Sequence, residues 1–531
     1  MGKTIGSGMI ATSWLQNDSQ PPKRTDLDDL AIKPAIVTLW WLSFWTVMGL
    51  CLGSFLNAVI YRLPRNRSLR NPLWSACPHC QHRIEWYDNL PVLSFILLSG
   101  RCRHCGVPIS TRYLVIEVSM ALIVLMLIDS LFIGHVRSGL SNSPFGLTDQ
   151  LSLDWPILLA HVILFACLLP MAVIDLEHYW VDVRFTNLAT IAGFILHTLW
   201  TPKHSAEWIR PFDTTAVMSL CAMVGLGIVW VVLLCEAHVD VEELGEEEEV
   251  EEPSPSVEEP RSPRRPPPSL ASPSRAWGWI AVVVLVAMFV ALWVDGTGWA
   301  DLRHGARALL PLALFFGLIV SDGAIPRKAD QQIAEAIHHE RHGARRMVLS
   351  EFVLLLPAFA AAALGWWLMG RGGDLSAGIS DALHAEVHVG RIGMLRNWAP
   401  LQGLATAATG YIIAGTVGWV VRIVFTLVFG KEALGTGDIH LMAAAGCVAG
   451  WPVVVLGFFL TCVLAMVGWL MTLPFKWTRA LPLGPWLALS FLAVVVFYDS
   501  ITQWPPIDRT IDMARLLFFG NSQPPVWESI P

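Results

Sequence analysis

CPHCQHRIEWYDNLPVLSFILLSGRCRHC, residues 77–105, opens and closes on a CxxC pair. Cys77 and Cys80 make the first pair, Cys102 and Cys105 the second. Two such knuckles on one short loop bring four thiolates within reach of a single ion, and zinc favours a tetrahedral four-sulfur site. Disulfide-bonded or purely structural cysteines are the alternative. Zinc-bound thiolates persist on a reducing side, which puts the loop in the cytoplasm. Cys51, Cys167, Cys221, Cys235, Cys447 and Cys462 stand singly in apolar stretches and read as packing residues.

The loop directly follows an apolar run long enough to cross a bilayer. The chain of 531 residues is 54% hydrophobic and 15% charged, with 25 Trp. A soluble core needs no such excess, and several runs approach the roughly 20 residues of a membrane span. The expected fold class is an all-α polytopic membrane protein with a small cytoplasmic zinc-ribbon-like domain between the first two spans. Membrane lipid is then its solvent, and no nucleic-acid partner is expected; the net charge of −7 says little about partners.

Read in order, the chain divides into a polar segment 1–35, a first span 36–61 and the zinc-binding domain 62–113. Next come a membrane core 114–235, an acidic and Pro-rich linker 236–276, and an inserted region 277–402 with about three spans. A second part of the core, 403–498, precedes the tail 499–531. The start lacks the basic, apolar and small-residue order of a removable signal peptide. The linker, with EELGEEEEVEEPSPSVEEP at its head, is too charged to bury a core and reads as a solvated tether. His338, His339 and His342 cluster in IHHERHGARR, which reads as a basic membrane-surface helix before it reads as a metal site. Lys and Arg concentrate in the zinc loop, in 321–346 and at Lys476 and Arg479, so these loops are expected on the cytoplasmic side.

Two acids stand at the edges of apolar runs, where ionisable groups are costly and usually functional. Asp175 ends one run in IDLEHYWVD, 174–182; Asp438 opens another in GTGDIHL, 435–441. Gly435 and Gly437 allow a tight turn and close approach of another chain segment beside Asp438. Two carboxylates brought together can share one proton, the arrangement that aspartyl proteolysis uses. Each Asp could instead merely cap a helix.

These features resemble the type IV prepilin peptidases, membrane aspartyl proteases of the GxGD type that are also N-methyltransferases. The resemblance runs through GSFLNAVIYRLP (53–64), the zinc block 77–117, IDLEHYWVD (174–182), GKEALGTGDIHLMAAAGCVAGW (430–451) and LPLGPWLAL (481–489). It implies catalytic roles for Asp175 and Asp438, a zinc site at Cys77, Cys80, Cys102 and Cys105, and a part in methyl transfer for Gly100. It also implies type IV prepilin and pseudopilin precursors as substrates, cleaved after Gly at the cytoplasmic face of the bacterial inner membrane. S-adenosylmethionine would then methylate the new N-terminus. Two departures stand out. Val181-Asp182-Val183 replaces the family's Pro-Asp segment, so Asp182, displaced by one, is a candidate supporting acid; Thr186 keeps the family's Thr position. His440 replaces a Lys two residues beyond Asp438. The inserted region lies outside what the family core needs. The alternatives are a peptidase without methyl transfer and a catalytically inactive protein that docks pilin-like helices.

Overall fold

The computed structural model describes residues 24–65, 67–71, 74–133, 147–178, 181–200, 214–244, 344–370, 399–472, 482–507 and 509. Residues 277–343 and 371–398 of the inserted region, the His338 cluster among them, lie outside these residues, as do most of the linker and most of the tail. The described residues are almost wholly helical. In chain order the helices are α1 Arg24–Arg62, α2 Leu93–Leu97, α3 Thr111–Ile128, α4 Leu147–His178, α5 Val183–Leu199 and α6 Thr214–Leu244. Then come α7 Ala344–Gly370, α8 Ala399–Phe429, α9 Thr436–Ala449, α10 Trp451–Thr472, α11 Gly484–Val496 and α12 Tyr498–Thr502. A π-helical turn, Asp129–Ile133, continues α3.

Among the described residues, 7 helices are long and apolar enough to cross a membrane. This is a multi-pass membrane protein. Two spans form its centre: the apolar windows of α3 and α4 are 94% and 83% buried. The spans of α1, α6, α7, α8 and α10 are only 11–28% buried and turn most of their apolar surface outward. That inversion is what lipid as solvent demands, because outward Leu, Val, Phe and Trp lose nothing against acyl chains. Three helices of the site, α5, α9 and α11, are shorter. At 14 residues α9 spans only about 21 Å and cannot cross a bilayer alone.

Between apolar helices in lipid, association rests on close packing of small residues and on internal hydrogen bonds. α8 carries LATAATG and α9 carries MAAAGCVA, and these faces meet. Ala405, Ala408 and Ala414 of α8 are fully buried. Gly410 and Gly446 cross so closely that a Cβ built on Gly446 would fall 2.3 Å from the Gly410 carbonyl oxygen. At the far end of α4, Trp200 Nε1 donates to Asp154 Oδ1 at 2.7 Å and ties the end of α5 to α4.

The pair α8–α9 gives a direct test. Gly446→Ala is expected to lower the thermal midpoint in detergent, by roughly 1–3 kcal/mol of overpacking. Gly227→Ala, whose Cβ would meet nothing within 4 Å, is expected to hold or raise it through helix propensity. Equal responses from the two would refute the close crossing.

Candidate active site

The site begins with α4, which carries Asp175 near its C-terminal end, five residues after Pro170. Pro170 has no N–H, so the helix bond back to Ala166 is absent just below the acid. Asp175 is buried, at 6% exposure. Its Oδ2 accepts from the backbone N–H of Gly484 at 3.0 Å. Gly484 opens α11 and is followed by Pro485, so the free N–H of that first turn is aimed at the carboxylate. A Cβ on Gly484 would lie 2.7 Å from Oδ2, so a side chain there would push the acid away.

The second acid sits in the first turn of α9. Gly435 is the N-cap and Asp438 the third helical residue, so the Gly435 N–H lies beside the Asp438 carboxylate and favours its charged form. Gly437 is the point of contact with the first motif: its absent side chain leaves room for Val181, whose Cβ would otherwise be 2.7 Å away. Val181 lies just beyond α4, so the turn after Asp175 rests on the turn before Asp438. α9 also packs directly on α4 and α5. The two acids are thus brought to one place, near enough for charge to act between them. Burial pushes the Asp438 carboxyl up to about 7; the Asp175 charge adds to the rise, the Gly435 N–H opposes it, and Glu432 adds a smaller push.

The remaining residues of interest fall as follows. Asp182 is buried, but its carboxylate caps α5 by accepting from the Arg184 N–H at 2.9 Å and grips the Arg184 guanidinium at 2.7–3.0 Å. Thr186 bonds back to the Val183 carbonyl at 2.8 Å within the same turn. His440 lies on an exposed face of α9. Two further residues carry no obvious sequence signal. Arg112, at the start of α3, forms an ion pair with Glu177, two positions beyond Asp175, and links the exit of the cysteine domain to the first motif. Gly484 is the other; only its place in a glycine–proline helix start marks it.

The cysteine domain is built from two copies of one turn. An Ala76–Arg83 bridge closes the first knuckle and an Arg101–Pro108 bridge the second. In the first, the Cys77 N–H bonds to His82 O at 3.0 Å; in the second, the Cys102 N–H bonds to Val107 O at 2.9 Å. Gln81 and Gly106 take the matching left-handed positions, φ 56° and 66°. The sulfurs of Cys77, Cys80, Cys102 and Cys105 all lie within 4.8 Å of one another. Cys77 and Cys105 Sγ are 3.9 Å apart. A metal–sulfur length of about 2.3 Å gives a tetrahedron with edges of about 3.8 Å, so the donor set fits one ion. N–H groups of Cys105 and His104 help hold the Cys102 thiol low, at about 7, which favours the thiolate. Gly100 heads the second knuckle, buried, with φ 66°; its carbonyl accepts from Ile109 at 2.7 Å.

The domain is anchored to the membrane helices by an unusual turn. Val92 holds φ 61°, rare for a β-branched residue, with the Leu93 N–H closing on Pro91 O at 2.6 Å. The Val92 N–H donates to Glu117 Oε2 of α3 at 2.8 Å in a buried setting. That bond answers for the glutamate and holds the turn.

Two segments of the chain match known protein families. Residues 47–130 match the family model described as "Bacterial Peptidase A24 N-terminal domain", and residues 389–470 match "Type IV leader peptidase family". A "Prepilin leader peptidase/N-methyltransferase" of Myxococcus xanthus is 39% identical over 153 residues, covering 29% of this chain and 39% of that protein. A Vibrio cholerae protein of the same name is 46% identical over 90 residues, 16% of this chain and 36% of its own. The Escherichia coli "Type 4 prepilin-like proteins leader peptide-processing enzyme" is 36% identical over 171 residues, 28% of this chain and 54% of its own. The matched segments thus span from about a third to about half of these relatives' lengths. No solved structure matches the chain.

The cysteine cluster is testable on its own. Purified chain is expected to hold about one divalent ion, and Cys77→Ser with Cys80→Ser to reduce that to near zero while loosening the segment 77–109, because small metal modules draw their folding free energy from the ion. Metal content by mass spectrometry that ignores these changes would remove the cluster as a binding site.

Proposed function

We propose, for a chain related to the type IV leader peptidases through both of its matched segments, that it is a membrane aspartyl endopeptidase acting on prepilin-like precursors. The observation that carries the reading is the convergence of buried Asp175 and half-buried Asp438 from the ends of α4 and α9. A carboxyl pushed up to about 7 is protonated over much of the neutral range, and its partner is then free to serve as the base.

In this reading Asp175, oriented by the Gly484 N–H, takes a proton from the attacking water. Asp438 gives its proton to the scissile carbonyl oxygen, so no oxyanion accumulates. The hydrated intermediate collapses when the proton gathered by Asp175 passes to the leaving nitrogen and the new carboxyl returns its proton to Asp438. Both acids end as they began. Water must be scarce around them for the shared proton to stay on the pair, and the apolar packing of α3, α4 and α9 supplies that exclusion. The substrate is a leader peptide ending in Gly before an apolar helix, presented at the cytoplasmic face of the inner membrane. That detail rests on the resemblance and on the names of the relatives. So does methylation of the new N-terminus from S-adenosylmethionine, with Gly100 in the half that would perform it. The cysteine cluster is read as structural zinc, since four thiolates leave no open position for a substrate.

Two measurements test the reading. Asp175→Asn and Asp438→Asn are each expected to abolish nearly all cleavage of a purified precursor, with the double variant little worse, because groups acting as a unit are not additive. Methylation of a pre-cleaved substrate is expected to survive both. Near wild-type cleavage by Asp438→Asn would refute the aspartyl mechanism in favour of a docking protein. The pH profile gives the second check. Asp438 must be protonated to act as the acid, and its carboxyl is raised to about 7. The cleavage rate is therefore expected to fall as pH rises through that value, and to fall again in acid once the Asp175 base is protonated; a rate still climbing above pH ~8 contradicts the assignment.

A further inference from the structure

Arg422 is the least expected charge in the molecule. It lies on α8, inside a candidate span, and is 1% exposed. Its guanidinium is shared three ways. Nε and one terminal nitrogen fork onto the two oxygens of Glu351, each at 2.9 Å. The other terminal nitrogen donates to the Glu432 carboxylate and to the Leu434 carbonyl. Glu351 belongs to α7, in the inserted region; Glu432 and Leu434 belong to the loop that leads into Gly435 and Asp438.

Each contact has a reason. A fork–fork Arg–carboxylate pair fixes both distance and plane, so Glu351 sets the orientation of the guanidinium. The remaining nitrogen then holds Leu434 in place, four residues before Asp438. The same loop is gripped elsewhere: the Ala433 N–H donates to Thr426 Oγ1 at 3.2 Å and the Gly430 N–H to Thr426 O at 2.8 Å. Gly430, at φ 67°, has the Arg345 guanidinium of α7 beside it, 3.4 Å from where a Cβ would stand. Two residues of α7, Arg345 and Glu351, therefore reach the loop, one directly and one through Arg422. An exposed tether would need neither. A buried cation also cannot lose a partner cheaply, so the three groups hold together or fail together.

We propose that Glu351 is a positioning residue: through Arg422 it makes the inserted helix α7 a brace that sets the loop delivering Asp438 to Asp175. The inserted region thus completes the active site, an inference that rests on Asp438 being catalytic.

The test uses the full chain in detergent with Glu351→Gln, which keeps shape and removes charge. Cleavage of a prepilin-like precursor is expected to lose about tenfold to a hundredfold in kcat with KM little changed, since displacement of a reacting group costs about that much. Hydrogen exchange across 430–438 is expected to quicken, while exchange across 77–109 stays as in the wild type. Glu351→Asp keeps the charge but draws it back by one methylene. It is expected to recover part of both signals and carries the test if the Gln variant misfolds. A helix brace with no bearing on the site would lower thermal stability yet leave kcat per folded molecule and exchange at 430–438 unchanged, and that result overturns the proposal. The two readings separate cleanly. A wild type that cleaves nothing, with exchange at 430–438 still quickened by Glu351→Gln, refutes the peptidase and the active-site role together while preserving the brace. A cleaving wild type with an indifferent Glu351→Gln refutes the brace alone.

Discussion

The turn after Asp175 rests on the turn before Asp438, and the contact is between Val181 and a glycine with no side chain. Any larger residue at 437 would have to displace Val181 or the start of α9. The rest of the architecture serves this meeting. α3 and α4 are buried so that Asp175 lies in a dry interior. α11 begins where its first N–H can reach that acid. α9 is short and starts with glycines, so its first turn can be laid against α4 and α5. A carboxylate in such a place is costly unless its lone pairs are answered. The Gly484 and Gly435 N–H groups each answer one acid without adding charge.

The cysteine domain is coupled to this centre at two points. The Val92 turn hangs on Glu117, deep in the first part of α3. Arg112, at the entry of the same helix, pairs with Glu177 beside the first acid. A domain that served only to fill a loop would need no such links. α7 reaches the opposite acid through Arg422 in a comparable way. The segments beside the two acids are therefore tied from two sides, by the Arg112–Glu177 pair and by the buried Arg422.

Some of this was legible from residues alone because the signals are local. Four cysteines in two CxxC pairs mark a cluster that could hold one ion, and long apolar runs mark spans because the length of a bilayer is fixed. GTGD was legible as a tight glycine turn with an acid at the entrance to an apolar helix; its place as the third helical residue came from the structure. Asp182 differs: it stood as a candidate supporting acid, and in the structure its carboxylate is taken up by Arg184 and the α5 backbone.

What the amino-acid order determined by itself was therefore the class of molecule and the cysteine cluster; it also singled out two acids at span edges as candidates. Partnership was decided only in three dimensions. The donor to Asp175 comes from a residue 309 positions later, and the carboxylate that orients Arg422 from one 71 positions earlier. Periodicity and spacing report what neighbours along a chain do together. They carry no record of which backbone N–H or carboxylate will arrive from a distant helix, because that is settled by how closely small residues let the helices approach.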